Sequence, residues 1–166
     1  MTVASSSSTT GTTRLLLAMA LACVGSVAGA LVSQHVFDMQ PCPWCTLQRL
    51  IFLLIGLLAL LGTLLRSNGI RRVLAAGGLL LALCGMASAI WQHFVAAASA
   101  SCNLTLADRI MQDLRLYDLL PEVFAPMASC ADAAVNLLGV PYAFWSLGLF
   151  TLCAVAHLQV IRVARI

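Results

Sequence analysis

Four long apolar runs, separated by polar segments, constrain this chain more than any other feature of its sequence. The first run covers 18 residues, 15–32, without a charged side chain. A helix of that length crosses a hydrocarbon core about 30 Å thick. The other runs cover residues 50–65, 73–91 and 142–161. Only 9% of the residues are charged, against about 25% in soluble domains, so the sequence predicts an all-α membrane protein with a four-helix transmembrane bundle.

The predicted organisation is a single transmembrane domain, residues 14–166, preceded by a short tail. Residues 1–13 are rich in serine and threonine and lack apolar periodicity, so a disordered tail is expected. The predicted spans are 15–34, 46–65, 73–94 and 142–161, joined on one side by loops 35–45 and 95–141.

The first run also has the features of a cleaved secretory signal. Arg14 precedes it, and Ala28-Gly29-Ala30 resembles a small-residue cleavage site. Three further apolar runs follow, which favours a retained helix over a removed signal.

Charge distinguishes the two sides of the predicted bundle. An even number of spans puts both termini on one side, and arginines cluster there, which is typical of the cytoplasmic face. These arginines are Arg14, Arg66, Arg71, Arg72, Arg162 and Arg165. All six acidic residues and four of the seven cysteines fall on the opposite side, where an oxidising compartment permits disulfides.

A Cys-x-x-Cys pair, Cys42 and Cys45, lies where an outer loop turns into the second apolar run. Pro43 favours a helix start, because its missing N–H costs nothing in the first turn. Arg49 follows Cys45 by four residues, on the same helix face. The positive end of the helix and the guanidinium both stabilise a thiolate, so the pattern predicts a redox site.

Arg49 and His93 are the candidate polar groups for a ligand at the membrane edge. A charge inside a span indicates function, and the planar donors of Arg49 suit a polar oxygen of a small lipophilic molecule. Snorkelling of Arg49 to the headgroups is the alternative. His93 lies near the end of the third run, at a similar depth. Three interpretations are open: His93 is a second donor to the same oxygen, it provides a proton route, or it has no role. His157 is interpreted as structural.

The second outer loop carries Cys102 and Cys130, which enclose 27 residues. A bridge between them would be accessible to an attacking thiolate, so a working disulfide is favoured over a structural one. Thr105 and Asp108 match a capping box, and apolar residues follow at helical spacing. The pattern predicts a short amphipathic helix that ends at Pro121 and either lies on the membrane surface or is a solvated connector.

These motifs together resemble the DsbB family, disulfide bond formation protein B of the bacterial inner membrane. The resemblance rests on P-C-x-x-C-x-x-Q-R at residues 41–49, on Trp-Gln-His-Phe at residues 91–94, on Cys102 and Cys130, and on Leu-Gly-Val-Pro at residues 138–141. It implies a multi-pass inner-membrane protein that reoxidises a periplasmic DsbA-like thiol oxidase and passes the electrons to membrane quinone, either ubiquinone or menaquinone.

The resemblance also implies roles for six residues. Cys102 would form the mixed disulfide with the partner, and Cys130 would be its loop mate. Cys42 would exchange with the loop pair and Cys45 would face the quinone. Arg49 and His93 would line the quinone site.

Two other classes of function remain open at this point. A transmembrane thiol carrier would use cysteines within the spans, such as Cys84 and Cys153. A non-enzymatic scaffold would use the four outer cysteines as a zinc site, although a second close-spaced pair would then be expected. Otherwise Cys23, Cys84 and Cys153 are interpreted as small apolar packing residues.

Overall fold

The computed structural model describes residues 4–65, 67–98 and 105–163, with side chains from residue 10 onward. This part of the chain is helical apart from one small antiparallel hairpin. The elements are α1 Ala4–Phe37, α2 Pro43–Leu64, α3 Asn68–Trp91, α4 Leu106–Asp113, α5 Leu116–Leu119, α6 Pro121–Phe124, β1 Asn136–Leu137, β2 Val140–Pro141 and α7 Tyr142–Val163. A π-helical turn, Gln92–Ala96, extends α3.

Four of these helices are long and apolar enough to cross a membrane: α1, α2, α3 with its π turn, and α7. Their outward faces expose large aliphatic side chains, among them Leu21, Leu57, Val73 and Leu152. Lipid tails are as apolar as these side chains, so such faces cost nothing in a bilayer. The predicted all-α transmembrane bundle is confirmed.

Small residues allow the helices to approach one another closely. Gly56 of α2 lies against Cys23 of α1, and Gly85 of α3 lies against the ring of Phe150 in α7. The Phe150 ring in turn stacks on Phe52 with centroids 4.0 Å apart. Glycine at such contacts is typical of membrane bundles, where close packing drives helix association.

We expect Gly78→Ala to lower the stability of the bundle by about 1–3 kcal/mol, as overpacking does in tightly filled interiors. A Cβ at residue 78 would overlap the imidazole of His157, which is fully buried and has no room to move away. Gly77→Ala is the matched control, because a Cβ there meets only Leu58, at 3.5 Å. Thermal unfolding in detergent should separate the two variants, and equal midpoints would contradict the packing described.

The N-terminal segment differs from its prediction. Helix α1 begins at Ala4, so residues 4–13, expected to be a disordered tail, continue the first span as helix, while residues 1–3 lie outside the described part. Nucleation is the costly step of helix formation, and the span supplies the nucleus. Arg71, itself buried, also holds this extension by donating to the hydroxyl of Thr13 at 3.0 Å.

The second outer loop is helical, but it is not one helix. The capping box of Thr105 and Asp108 is present and starts α4, as predicted. The helix stops before Arg115, whose positive φ of 53° interrupts the regular backbone, and α5 begins after it. Pro121 starts α6 where the sequence was expected to end a helix, because proline fits the first turn equally well.

Candidate functional site

The Cys-x-x-Cys pair lies at the start of α2, as predicted. Pro43 is the first helical residue and Cys42 is the residue before it, with an extended backbone. The Sγ atoms of Cys42 and Cys45 are 3.1 Å apart. Cys42 is completely buried and Cys45 is half-buried. Two thiols held this close at a helix N-terminus are arranged for disulfide exchange.

Cys130 of the second outer loop contacts Cys42 through a thiol–thiol hydrogen bond. The loop is held there by the carbonyl oxygen of Pro41, which accepts hydrogen bonds from the N–H groups of Met127 and Ala128 at 2.9 and 3.3 Å. The backbone next to the motif therefore binds the backbone next to Cys130. Cys42 is therefore in contact with both Cys130 and Cys45.

The shared hydrogen bond separates the acidities of two of these thiols. It holds the pKa of Cys130 below the ordinary value, because the Cys42 thiol donates to the Cys130 sulfur. The pKa of Cys42 is raised by its hydrogen bonds with Cys130 and Cys45 and by burial. In the reduced protein Cys130 is therefore the stronger nucleophile of this contact at neutral pH.

This contact predicts how alkylation of Cys130 depends on pH in the reduced protein. A lowered pKa keeps the thiolate populated to lower pH, so labelling of Cys130 should persist below the range of a free cysteine. In Cys42→Ala the donor is gone, and the midpoint of labelling should move to higher pH. Cys42→Ser is the matched control, since its hydroxyl can still donate. Labelling rates followed by mass spectrometry test this, and an unchanged midpoint in Cys42→Ala would contradict the assigned contact.

Arg49 points into the bundle, with only 6% of its surface exposed. One terminal nitrogen, Nη1, donates to Oε1 of Gln34 and to the carbonyl of Val123, both at 2.7 Å. The other, Nη2, donates to the carbonyl of Ala30 at 3.4 Å. These bonds join α1, α2 and α6 around one guanidinium. The snorkelling alternative is wrong, because Arg49 is itself buried and carbonyl and amide oxygens of the protein hold its charge.

Two buried glutamines that the sequence analysis did not single out complete the surroundings of Cys45. The amide nitrogen of Gln92 donates to the Cys45 sulfur at 3.1 Å, and Gln48 donates to Oε1 of Gln92 at 2.7 Å. Gln92 comes from the π-helical turn after α3. A polar side chain within an apolar span indicates a functional position. By this criterion both glutamines could have been predicted from the sequence, as Arg49 was.

A cavity of about 280 Å³ opens beside Cys45 and Arg49. Its walls come from α1, α2, α7 and the outer segment, and they are mainly apolar. Aromatic rings of Phe52, Tyr142 and Trp145 line it. Apolar walls with a few convergent polar groups are typical of a small-molecule site.

His93 lies apart from Arg49. It lines a second cavity of about 80 Å³ together with Cys130, and its ring packs against Phe94 and Phe144 with centroid distances of 4.8 and 4.7 Å. Tyr142 lines both cavities, so the two are neighbours. The structure thus brings Cys42, Cys45, Cys130 and Arg49 together, and places His93 in a second cavity that shares the lining residue Tyr142 with the first.

A polar contact outside the cavities fixes the second outer loop on α2. The hydroxyl of Tyr117 donates to Oδ1 of Asp108 at 3.1 Å and also bonds with Thr46, one residue after Cys45. Burial raises the pKa of Tyr117. The loop helices are therefore anchored beside the dithiol. Cys102 lies outside the described residues, and its place in this arrangement stays a prediction.

Four spanning helices with a buried dithiol at one end define a membrane-embedded disulfide oxidoreductase. The chain belongs to the DsbB family, since the family model for disulfide bond formation protein DsbB matches residues 12–160. Disulfide bond formation protein B of Pseudomonas syringae pv. tomato is 34% identical over 143 residues, which cover 86% of this chain and 85% of the relative. The protein of that name from Aromatoleum aromaticum is 34% identical over 155 residues, 90% of this chain and 92% of the relative.

Proposed function

We propose that this chain is a protein-dithiol:quinone oxidoreductase. It reoxidises a periplasmic DsbA-like thiol oxidase and delivers the electrons to membrane quinone, which sustains disulfide formation in periplasmic proteins. The observation that carries the proposal is a continuous path of contacts. Cys130 contacts Cys42, Cys42 contacts Cys45, and Cys45 lines a cavity with Arg49. Thiol–disulfide exchange requires sulfur atoms in contact, and these two sulfur contacts allow two successive exchanges.

The residues around the larger cavity fit a quinone head group. The volume of about 280 Å³ suits a single substituted ring, and the aromatic walls suit its faces. Arg49 has five N–H donors, of which bonds to the described residues use three, so donors remain for a quinone oxygen. When bound, a quinone supplies a sink for two electrons and two protons.

Each cysteine has a defined part in the proposed relay. A partner thiolate attacks Cys102, and the Cys102–Cys130 bond breaks to release the Cys130 thiolate. That thiolate attacks Cys42, forming a Cys130–Cys42 bond and releasing Cys45 as a thiolate beside the cavity. Cys102, freed when the second partner thiol resolves the mixed disulfide, attacks Cys130 and restores the loop disulfide. Cys42 and Cys45 are then the reduced pair, facing the quinone.

Gln92, Arg49 and His93 support this relay in different ways. Gln92 donates to the Cys45 sulfur and so stabilises the charge that sulfur carries when it leaves Cys42. The buried cation of Arg49 acts on the same charge. His93 lines the smaller, neighbouring cavity, which favours a role in proton passage over direct contact with the quinone.

The proposed location is the bacterial inner membrane, with the dithiol on the periplasmic side. The chain is a multi-pass membrane protein of the DsbB family. Arg14, Arg71, Arg72 and Arg162 lie at or beyond the span ends remote from Cys42, and positive charge favours the cytoplasmic side. Both termini are then cytoplasmic, and the outer loops face the compartment where disulfides form.

The direct test mixes purified protein with a reduced DsbA-like thiol oxidase and a soluble quinone analogue, and follows quinone absorbance. We expect quinone loss to match partner oxidation mole for mole. Stoichiometric bound zinc with unreactive thiols would instead support the scaffold alternative. Quinone loss without partner oxidation would remove the partner from the proposal.

A further inference from the structure

Two cysteines that the relay does not use meet in the middle of the bundle. Cys23 of α1 and Cys153 of α7 have their Sγ atoms 3.8 Å apart, and both are buried. From the sequence they were expected to be separate packing residues. Cys84 in the third spanning helix faces outward, so, apart from the dithiol at the start of α2, the buried thiols within the described spans form one pair.

Cys23 and Cys153 lie about one helical turn deeper in the bundle than the floor of the larger cavity. The offset is similar along each of the three helices that surround the pair. On α1, Cys23 is three residues from Ser26, which lines the cavity. On α7, Cys153 is four residues beyond the lining residue Leu149, and on α2, Gly56 contacts Cys23 four residues beyond the lining residue Phe52. At 1.5 Å per residue these offsets are about 4.5–6 Å.

The rise per residue also gives the distance between this pair and the dithiol of Cys42 and Cys45. Gly56, which lies at the level of Cys23, follows Cys45 by eleven residues, or about 16 Å along α2. Direct exchange between the two pairs is therefore impossible without large movement. Any oxidant of Cys23 and Cys153 must reach them through the apolar interior.

We propose that Cys23 and Cys153 are a second redox pair, oxidised to a disulfide by a lipid-soluble quinone that passes through the floor of the larger cavity to reach them. Both S–H bonds break and one S–S bond forms, while two electrons and two protons pass to the quinone, which leaves as quinol. The disulfide ties α1 to α7 beneath the cavity. This inference rests on quinone access, as the proposed function does, but it assigns a separate pair of residues.

The geometry requires only a small movement. A disulfide needs its two sulfur atoms about 2 Å apart, and the Sγ atoms of Cys23 and Cys153 are now 3.8 Å apart. Rotation of the cysteine side chains about their Cα–Cβ bonds can move the sulfurs by more than this difference. Cys23 and Cys153 lie deeper in the apolar interior than Cys42 and Cys45, where oxidants arrive less readily, so their oxidation should be slower than at Cys42 and Cys45. For the same reason, once formed, the bond should resist small aqueous thiols.

The test uses the full chain in detergent with the five other cysteines replaced by serine. Quinone analogue and, separately, diamide are added, and free thiols are counted by alkylation after denaturation. We expect each oxidant to remove both thiols and lower the intact mass by two hydrogen atoms. The matched control carries Cys23→Ser and retains Cys84 and Cys153 instead. Both of its thiols should stay free after treatment. Two free thiols in the Cys23–Cys153 chain after quinone treatment would overturn the inference.

The wild-type chain provides a second measurement that does not depend on the multiple substitution. It is treated with the quinone analogue, denatured and alkylated, and the state of each cysteine is read by peptide mass spectrometry. Oxidised Cys42 and Cys45 with free Cys23 and Cys153 would overturn this inference and leave the proposed function standing. The reverse pattern would contradict the proposed function while supporting the second pair.

Discussion

Cys102→Ser is expected to reduce oxidation of the thiol-oxidase partner to the rate seen without the protein. In the proposed relay Cys102 is the only sulfur that receives the partner's attack, and serine forms no disulfide. The inner pair should stay reducible by small thiols, because Cys42 and Cys45 are separate from that step. A partner variant lacking its resolving cysteine should form a trapped adduct with wild-type protein and none with Cys102→Ser, as judged on non-reducing gels.

Cys84→Ser is the matched control for this experiment, since Cys84 faces outward within a span. It should leave both partner oxidation and adduct formation unchanged. Partner oxidation that survives in Cys102→Ser would show that the order of the relay is wrong, with Cys130 or Cys42 taking the first attack.

Arg49→Ala is expected to raise the quinone concentration needed for half-maximal rate by about 10- to 100-fold. A hydrogen bond to a charged donor contributes about 1.5–3 kcal/mol, and 1.4 kcal/mol corresponds to a factor of ten. Exchange at Cys102 should be largely kept, because the outer loop does not depend on the quinone. Steady-state rates against quinone concentration, with a thiol-exchange assay in parallel, measure the two effects separately.

Arg49 also joins three helices, so a loss of folding must be separated from a loss of binding. Arg49→Lys keeps the positive charge but loses the planar fork that reaches Gln34, Val123 and Ala30. We expect it to fall between wild type and Arg49→Ala in quinone dependence. Thermal midpoints of both variants give the folding control. Unchanged quinone dependence in Arg49→Ala at full stability would remove Arg49 from the site.

The four spans were predictable because an apolar run of about 18 residues or more is long enough to cross a membrane as a helix, and few other structures bury it. The helix start at Pro43 and the capping box at Thr105 were also predictable, since both depend on local chemistry. The break at Arg115 was not. A positive φ is uncommon at a non-glycine residue, and the residues around Arg115 carry no turn signal that would predict it.

The site was predictable in its residue types but not in its contacts. The spacing of Cys42, Cys45 and Arg49 on one helix fixes their common face, so a thiol pair beside a cation followed from sequence. The contact of Cys130 with Cys42 depends on Pro41 accepting hydrogen bonds from a segment more than 80 residues away. No periodicity predicts such a contact, and none predicts that His93 and Arg49 line different cavities.

The pairing of Cys23 with Cys153 shows the same limit. Each residue taken alone looks like a small apolar packing residue, and 130 positions separate them. Only the packing of α1 against α7 brings the two sulfurs into contact. Helix contacts in membranes are set by small residues and shape, which give weaker signals in one sequence than hydropathy does.

The central claim is that the dithiol at the start of α2 gives its electrons directly to a lipid-soluble oxidant in the cavity it shares with Arg49. A single-turnover experiment on reduced protein with Cys23, Cys102, Cys130 and Cys153 replaced by serine tests it without any partner, at quinone equal to protein. The account predicts that one quinone is reduced for each Cys42–Cys45 disulfide formed. Unchanged quinone absorbance, with Cys42 and Cys45 still open to alkylation, would contradict it.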